Sequence, residues 1–115
     1  MKNSRLLFLL VLIFNLSLFS GCKPKVPKIG ILIHSYGNER WPKDKDYLVE
    51  DLTRLGAETL VEVADNDHNK QFEQARNMIR NGVQVLIVVP INQDEAAKIV
   101  ELAHESKVKV IAYDR

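Results

Sequence analysis

Two short segments of the sequence carry side chains that could hold a polar molecule. Arg40 and Lys43 lie in the first segment, and Asp114 and Arg115 form the second. Guanidinium and ammonium groups donate several hydrogen bonds each, whereas a carboxylate accepts them. A fold that brings the two segments together would therefore offer both donors and acceptors to one polar ligand.

The residue patterns of common catalytic and cofactor sites are missing from the sequence. No G-x-G-x-x-G or G-x-x-x-x-G-K motif follows a predicted strand, so a dinucleotide or a nucleoside triphosphate would find no phosphate cradle. His34, His68 and His104 are far apart in the sequence and have no cysteine partner at metal-site spacing. No nucleophile–base pair or paired carboxylates are suggested either. We therefore expect no catalytic residues, no cofactor and no metal.

The charge balance argues against a nucleic-acid partner. Lysine and arginine together number 16, and aspartate and glutamate 15, which gives a formal net charge of +1. A nucleic-acid-binding surface needs a clustered excess of positive charge to neutralise phosphates. Hydrophobic residues make up 46% of the chain, which is typical of a globular protein rather than a disordered one.

The start of the chain has the composition of an export signal. Lys2 and Arg5 form a short positive region, residues 6–19 an almost unbroken apolar run, and Ser20-Gly21 a pair of small residues. The apolar run is shorter than the roughly 20 residues that span a bilayer comfortably. We therefore predict that residues 1–21 are a signal peptide.

Cys22 is the single cysteine of the chain and directly follows this signal. Residues 18–22 resemble the lipobox at which bacterial lipoproteins are acylated on the cysteine and cleaved before it. This resemblance implies a lipid anchor on Cys22 and a location in the periplasm or on the cell surface, tethered to the membrane. An uncleaved anchor with a free thiol is the alternative. Residues 22–27 interleave prolines with lysines and are predicted to form a short extended linker.

From residue 28 onwards, the apolar pattern alternates between strand and helix. Short β-branched runs predict strands, and apolar residues three and four positions apart predict amphipathic helices. The predicted strands are residues 28–34, 59–63, 83–89 and 108–113. The predicted helices run over 42–55, from Asp67 or Asn69 to just before Gly82, and from Asn92 through Ala103.

Each predicted helix has an apolar face and a charged face. Leu55 is assigned to the apolar face of the first helix, and residues 43–46 to a largely solvated face, apart from Lys43. Val100 is assigned to the buried stripe of the third helix. Pro42 suits the first turn of the first helix, and Gly56 suits a left-handed residue at its end.

Strand–helix–strand repeats of this length predict an α/β fold, an open parallel sheet with flanking helices joined by right-handed crossovers. Ligands bind at the carboxyl ends of the strands in such a sheet, here residues 34–43, 64–68, 90–93 and 114–115. The part that follows the signal suits one small domain. We expect it to be the opening piece of a larger protein.

Several groups of residues are shared with a known family. They are Lys28-Ile29-Gly30, Glu39-Arg40-Trp41 with Lys43-Asp44, Asn77-Met78-Ile79 with Gly82-Val83, Val88-Val89-Pro90, and Ala112-Tyr113-Asp114-Arg115. Together they resemble the periplasmic sugar-binding proteins of ABC importers, in particular the D-xylose-binding branch. The resemblance implies that residues 28–115 are the first part of the Rossmann-like N-terminal lobe of a type I periplasmic binding protein.

The resemblance also implies a set of sugar-binding residues, which are Arg40, Trp41, Lys43, Asp114 and Arg115. Sugar hydroxyls both donate and accept hydrogen bonds, so a pocket needs carboxylates together with cationic donors. The ring of Trp41 would lie against the apolar face of the sugar, or it would pack over the start of the helix. Residues 34–38 differ from the xylose branch, which leaves the identity of the sugar open.

The function implied is reversible capture of a monosaccharide, D-xylose or a related aldose, and its presentation to an ABC transporter permease. Such a protein is not an enzyme. A second interpretation is a sugar-sensing lobe that reports to a chemoreceptor or a histidine kinase. An exported α/β enzyme ranks third, because no catalytic constellation is visible.

Overall fold

The computed structural model describes residues 25–114. The predicted signal peptide, the predicted lipidation site Cys22 and the predicted ligand residue Arg115 lie outside the described residues. The described elements, in chain order, are β1 (Lys28–Ile33), α1 (Arg40–Arg54), β2 (Glu58–Val63), α2 (His68–Arg80), β3 (Val85–Val88), α3 (Gln93–Glu105) and β4 (Lys109–Ala112). Within this part of the chain, no helix has the length and apolar character needed to cross a membrane.

The four strands form one parallel sheet in the order β2-β1-β3-β4. Ile31 of β1, for example, pairs with Val61 on one side and Ile87 on the other. The predicted α/β fold with an open parallel sheet is therefore confirmed. The chain leaves β1 in one direction to form β2 and then crosses back to form β3. The order of the strands thus reverses between β1 and β3, and this is where open parallel sheets bind ligands.

Each face of the sheet is covered by its own helices. Successive strand residues point to opposite faces, so Ile31 and Ile33 enter one core while Leu32 enters the other. Helix α1 covers the first face through Trp41, together with half-buried apolar residues. Helices α2 and α3 cover the second face, where Met78 is among the buried residues. The central strands β1 and β3 are buried from both sides, which explains their nearly continuous apolar runs, whereas the edge strands β2 and β4 keep exposed residues.

Local signals at the helix ends agree with the structure. The side chains of Asp67 and Asn92 cap α2 and α3, each accepting a hydrogen bond from the backbone N–H three residues later, at 3.0 and 2.9 Å. Gly56 and Gly82 follow α1 and α2 with φ angles of +84° and +82°. Glycine adopts this left-handed conformation without a steric cost, so both helices can end where the sequence predicts.

Helix α1 starts two residues earlier than predicted, at Arg40 rather than Pro42. The side chain of Asn38 accepts a hydrogen bond from the backbone N–H of Arg40 at 2.9 Å, and its carbonyl accepts one from Trp41 at 3.2 Å. Pro42 still lies in the first turn, where backbone N–H groups have no helical partner. As a result, Arg40 and Trp41 project from a rigid helical turn instead of a loop.

Two apolar residues that were predicted to be buried are exposed. Leu55 follows the last residue of α1 and is 78% exposed. Val100 lies on α3 and is 48% exposed, beside the open edge of β4. Helical spacing defines an apolar stripe, but burial also requires a neighbouring element to cover it. Neither position has such a cover within residues 25–114.

The third and fourth strands are shorter than their apolar runs predict. Pairing of β3 with β1 extends only from Val85 to Val88. Val83 and Val89, which flank this strand, are nevertheless buried. An apolar run indicates which residues are buried, whereas the bounds of a strand depend on regular backbone pairing. The apolar run can therefore extend beyond the strand at both ends.

Candidate functional site

Arg40 joins the two segments that the sequence marked as candidates for ligand binding. Its Nε donates a hydrogen bond to Oδ2 of Asp44 at 2.9 Å, and its Nη1 donates one to Oδ2 of Asp114 at 2.8 Å. Arg40 is the first residue of α1, and Asp114 lies just beyond the carboxyl end of β4. The structure thus brings Arg40 and Asp114 together at the ligand-binding edge of the sheet.

The charged groups of this cluster stay partly open to solvent. The exposed fractions of the side chains are 48% for Arg40, 37% for Asp114 and 20% for Asp44. Hydrogen bonds to Asp114 and then to Asp44 raise the pKa of Arg40 above its usual range. The guanidinium therefore stays protonated, and both it and the Asp114 carboxylate can reach a ligand that arrives from solvent.

Trp41 lies beneath this charged cluster and is only 5% exposed. Its ring packs edge-on against His34, with centroids 4.9 Å apart, and against Tyr113, with centroids 6.5 Å apart. The guanidinium carbon of Arg40 lies 4.9 Å from the centroid of the Trp41 ring, a cation–π distance. Of the two roles considered for this ring, the geometry favours packing over the start of α1. Trp41 acts as an apolar floor that supports Arg40.

Of the two remaining predicted ligand residues, only Lys43 is described, and it lies outside this cluster. Lys43 is exposed on α1 and forms no hydrogen bond or ion pair with any residue in the range 25–114. Arg115 is not among the described residues. The structure therefore gathers Arg40, Trp41 and Asp114 and leaves Lys43 apart.

Asp44 and Tyr113 belong to the cluster, although sequence reasoning did not assign them to it. Oδ2 of Asp44 accepts a hydrogen bond from the hydroxyl of Tyr113 at 3.3 Å as well as the one from Arg40. Asp44 had been assigned to a solvated helix face, and that prediction is wrong for this residue. The spacing of Arg40 and Asp44, four residues apart on a helix, is the signal that could have found the pair.

A buried glutamine organises the loop that follows β3. Gln71 on α2 has no exposed surface. Its Nε2 donates to the carbonyl of Val89 at 2.9 Å, and its Oε1 accepts from the backbone N–H of Ile91 at 3.3 Å. Sequence reasoning missed this residue. The available signal was its position: Gln71 lies one turn after the N-cap Asp67 and next to Phe72, which belongs to the helix face that packs on the sheet. Gln71 fixes the backbone at the ligand edge of β3.

The cavities near β4 differ in character, as two of them show. One of about 430 Å³ opens at the carboxyl end of the sheet and is lined by Pro90, Ile91, Asn92, Gln93, Ala96 and Ala112. The other, about 580 Å³, runs along the open edge of β4 and is lined mainly by apolar side chains such as Val85 and Ile111. The smaller cavity is the relevant one, because it lies at the same edge of the sheet as the polar cluster.

The described residues contain no group of three or more His, Cys, Asp or Glu side chains that could hold a metal ion. The cluster of Arg40, Asp44 and Asp114 offers hydrogen bonding by one cation and two carboxylates. Such a set suits a neutral ligand that carries several hydroxyl groups, since each hydroxyl can donate to a carboxylate or accept from the guanidinium.

Comparison with known proteins identifies close relatives. The chain is 40% identical over 91 residues to the D-xylose-binding periplasmic protein of Escherichia coli strain K12. The aligned region covers 79% of this chain and 28% of that protein. The chain is 36% identical over 108 residues to the D-xylose-binding periplasmic protein of Haemophilus influenzae, covering 93% of this chain and 32% of that protein. The chain thus spans about a third or less of the length of these curated relatives.

A solved structure shares the fold. The crystal structure of an ABC transporter solute binding protein from Clostridium phytofermentans with bound β-D-glucose superposes with a TM-score of 0.73 at 31% identity. The match covers 76% of this chain and 27% of that one. Residues 29–115 match the periplasmic binding protein domain. Because this match extends over most of the sequence, the chain belongs to the periplasmic binding protein domain family.

Proposed function

We propose that residues 28–115 are the first part of the N-terminal lobe of an extracytoplasmic solute-binding protein that captures a monosaccharide for an ABC transporter. Capture is reversible: two lobes close on the sugar, and the closed form is presented to the permease. The relatives described as D-xylose-binding periplasmic proteins support this proposal, and so does the solute binding protein with bound glucose. Such a protein binds its ligand without chemical change and is not an enzyme.

The observation that carries the proposal is the pairing of Arg40 with Asp114 at the carboxyl edge of the sheet. Only one of the two Nη atoms of Arg40 and one carboxylate oxygen of Asp114 take part in it. Among residues 25–114, no other hydrogen bond engages the second Nη or the second Asp114 oxygen. A sugar hydroxyl placed beside the pair could accept a hydrogen bond from the second Nη of Arg40 and donate one to the second carboxylate oxygen of Asp114. Both bonds are charge-assisted and so stronger than bonds between neutral groups.

D-xylose or a related aldose is the ligand that we propose. The two curated relatives are described as binding D-xylose, whereas the related crystal structure contains glucose. A site made of Arg40 and Asp114 recognises hydroxyl groups, which aldopentoses and aldohexoses share. Lys43 and Arg115 are proposed as further donors to the sugar in the closed form, where the second lobe completes the pocket.

We further propose that the protein works in the periplasm or on the cell surface, tethered through acylated Cys22 after removal of residues 1–21. Each buried CH₂ of an acyl chain contributes about 0.8 kcal/mol, so two or more chains anchor a protein without a transmembrane helix. The sequence around Cys22 supports this part of the proposal.

Calorimetric titration of the full-length protein with a panel of aldopentoses and aldohexoses tests the function. We expect saturable binding of one sugar per protein, tightest for D-xylose or a close relative, and recovery of the sugar unchanged. A polyol such as glycerol is the control ligand, because it offers hydroxyls without a ring. Absence of binding to every sugar in the panel would overturn the proposal.

A further inference from the structure

Asp44 connects the start of α1 with the end of β4. Its Oδ2 accepts hydrogen bonds from Nε of Arg40 at 2.9 Å and from the hydroxyl of Tyr113 at 3.3 Å. The side chain is 20% exposed, whereas that of Asp46 on the same helix is 69% exposed and, among residues 25–114, pairs only with the adjacent Lys45. Asp44 therefore points into the cluster, whereas Asp46 on the same helix faces solvent.

The contact with Asp44 fixes the orientation of the Arg40 guanidinium. A guanidinium is planar, so a hydrogen bond at Nε together with the Trp41 ring at 4.9 Å restricts both its position and its tilt. The Nη atoms are then directed towards Asp114 and solvent, as the 2.8 Å hydrogen bond to Asp114 shows. An arginine side chain that is already ordered loses less conformational entropy when a ligand binds.

The contact with Asp44 also fixes Tyr113, which precedes Asp114 in the chain. The backbone N–H of Tyr113 donates to the carbonyl of Val88 at 2.9 Å, and its hydroxyl donates to Asp44. Tyr113 is thus held at both ends. The next residue, Asp114, has a φ angle of +67°, a conformation that non-glycine residues seldom adopt. Because Tyr113 is held in place, the backbone of Asp114 is held too, and this restricts the position of the Asp114 carboxylate.

We propose that Asp44 is a positioning residue of the sugar site: it holds Arg40 directly and Asp114 through Tyr113 in the arrangement that receives the ligand. This inference rests on the proposed sugar-binding function. Asp44 need not touch the sugar itself. Its carboxylate acts before the ligand arrives, by keeping a donor and an acceptor at a fixed separation.

Calorimetric titration of full-length variants with the best-binding aldose of the panel tests the role of Asp44. We expect Asp44→Ala to weaken binding about tenfold or more, because a charge-assisted hydrogen bond that orders Arg40 is lost. Asp44→Asn keeps a neutral acceptor of the same shape and should lie between Asp44→Ala and the unchanged protein. Asp46→Asn is the matched control on the same helix, and its affinity should stay within about twofold, as for an exposed pair.

A mutant cycle separates positioning from general damage to the fold. In a protein that already carries Arg40→Ala and Tyr113→Phe, Asp44→Ala has nothing left to position, so it should weaken sugar binding by less than about twofold. A purely structural Asp44 would weaken binding equally in both backgrounds. Circular dichroism confirms that each variant is folded, and Asp44→Asn decides the question if Asp44→Ala does not fold.

The outcomes distinguish this inference from the function on which it rests. If the unchanged protein binds no sugar, both fail. If it binds sugar and Asp44→Ala and Asp44→Asn bind as tightly as Asp46→Asn, the positioning role is overturned while the sugar-binding function stands. Equal losses in both backgrounds of the cycle overturn it as well.

Discussion

Nη1 of Arg40 lies 2.8 Å from Oδ2 of Asp114, although the two residues are 74 positions apart in the chain. The pair is open to solvent, and exposed ion pairs contribute little to folding stability. The pair therefore matters for the hydrogen-bonding groups that it exposes at the edge of the sheet, a guanidinium and a carboxylate. The guanidinium of Arg40 and the carboxylate of Asp114 hold each other in place through this hydrogen bond.

The first prediction concerns this pair. In the full-length protein, Arg40→Ala and Asp114→Ala should each weaken aldose binding by at least about tenfold, because each leaves the other charge without its partner in the closed pocket. Calorimetric titration measures the affinity. The melting temperature of both variants should match that of the control Lys45→Ala, which removes a charge elsewhere on α1. Unchanged affinity in both variants would remove these residues from the sugar site.

The second prediction concerns Trp41, which is 5% exposed and packs against His34 and Tyr113. Trp41→Ala should lower the free energy of unfolding by about 3–5 kcal/mol, the cost typical of deleting a buried aromatic ring. Denaturant titration gives this value, and Trp41→Phe should cost less because it retains one ring. If Trp41→Ala instead abolished sugar binding with no loss of stability, the ring would be a ligand platform and not a floor.

The third prediction concerns Gly30, where β1 passes close to α2. A Cβ at this position would lie 2.6 Å from Sδ of Met78 and 2.8 Å from Cδ2 of Leu86. Gly30→Ala should therefore destabilise the protein by about 1–3 kcal/mol through overpacking. Thermal denaturation checks this, with Gly37→Ala as the control.

A Cβ at Gly37 would meet only Oγ of Ser35, at an ordinary 3.6 Å, so this control should leave the melting temperature nearly unchanged. Adding Met78→Val to Gly30→Ala should restore part of the lost stability, because the smaller side chain vacates the space next to the new methyl group. Equal melting temperatures for Gly30→Ala and Gly37→Ala would contradict the prediction.

The fourth prediction concerns Gln71, which has no exposed surface and bonds the backbone of Val89 and Ile91. Gln71→Leu keeps the side-chain volume but leaves a carbonyl and an N–H without this partner. Each such buried group costs about 1–3 kcal/mol. The loss should appear in denaturant unfolding and as faster amide exchange at Ile91. Gln93→Leu, at an exposed position of α3, is the control, and a loss as large as that of Gln71→Leu would count against the buried role.

The fifth prediction concerns the membrane anchor at Cys22. Intact-mass analysis of the membrane fraction should show a protein that starts at Cys22 and carries acyl chains. Cys22→Ser removes the thiol that the acyl chain needs, so this variant should remain unprocessed or be released from the membrane. Detection of unmodified Cys22 with Met1 still attached would refute the anchor.

The order of strands and helices could be predicted from the sequence because it depends on neighbours in the chain. Apolar spacing identified every described element, and the caps at Asp67 and Asn92 marked helix starts by short-range hydrogen bonds. The parallel arrangement followed from the alternation of strands with helices. Arg40 and Asp114 were assigned to the site from the family resemblance and from their places near strand ends.

The contacts within the site were decided only by the tertiary structure. Asp44 and Tyr113 are 69 positions apart, and their hydrogen bond requires α1 to begin beside the end of β4. That placement depends on the strand order β2-β1-β3-β4, which periodicity along the chain does not encode. The same reason explains Leu55 and Val100, whose apolar character predicted burial although no element covers them among the described residues. Local patterns determine which element a residue joins, but long-range packing determines what its side chain meets.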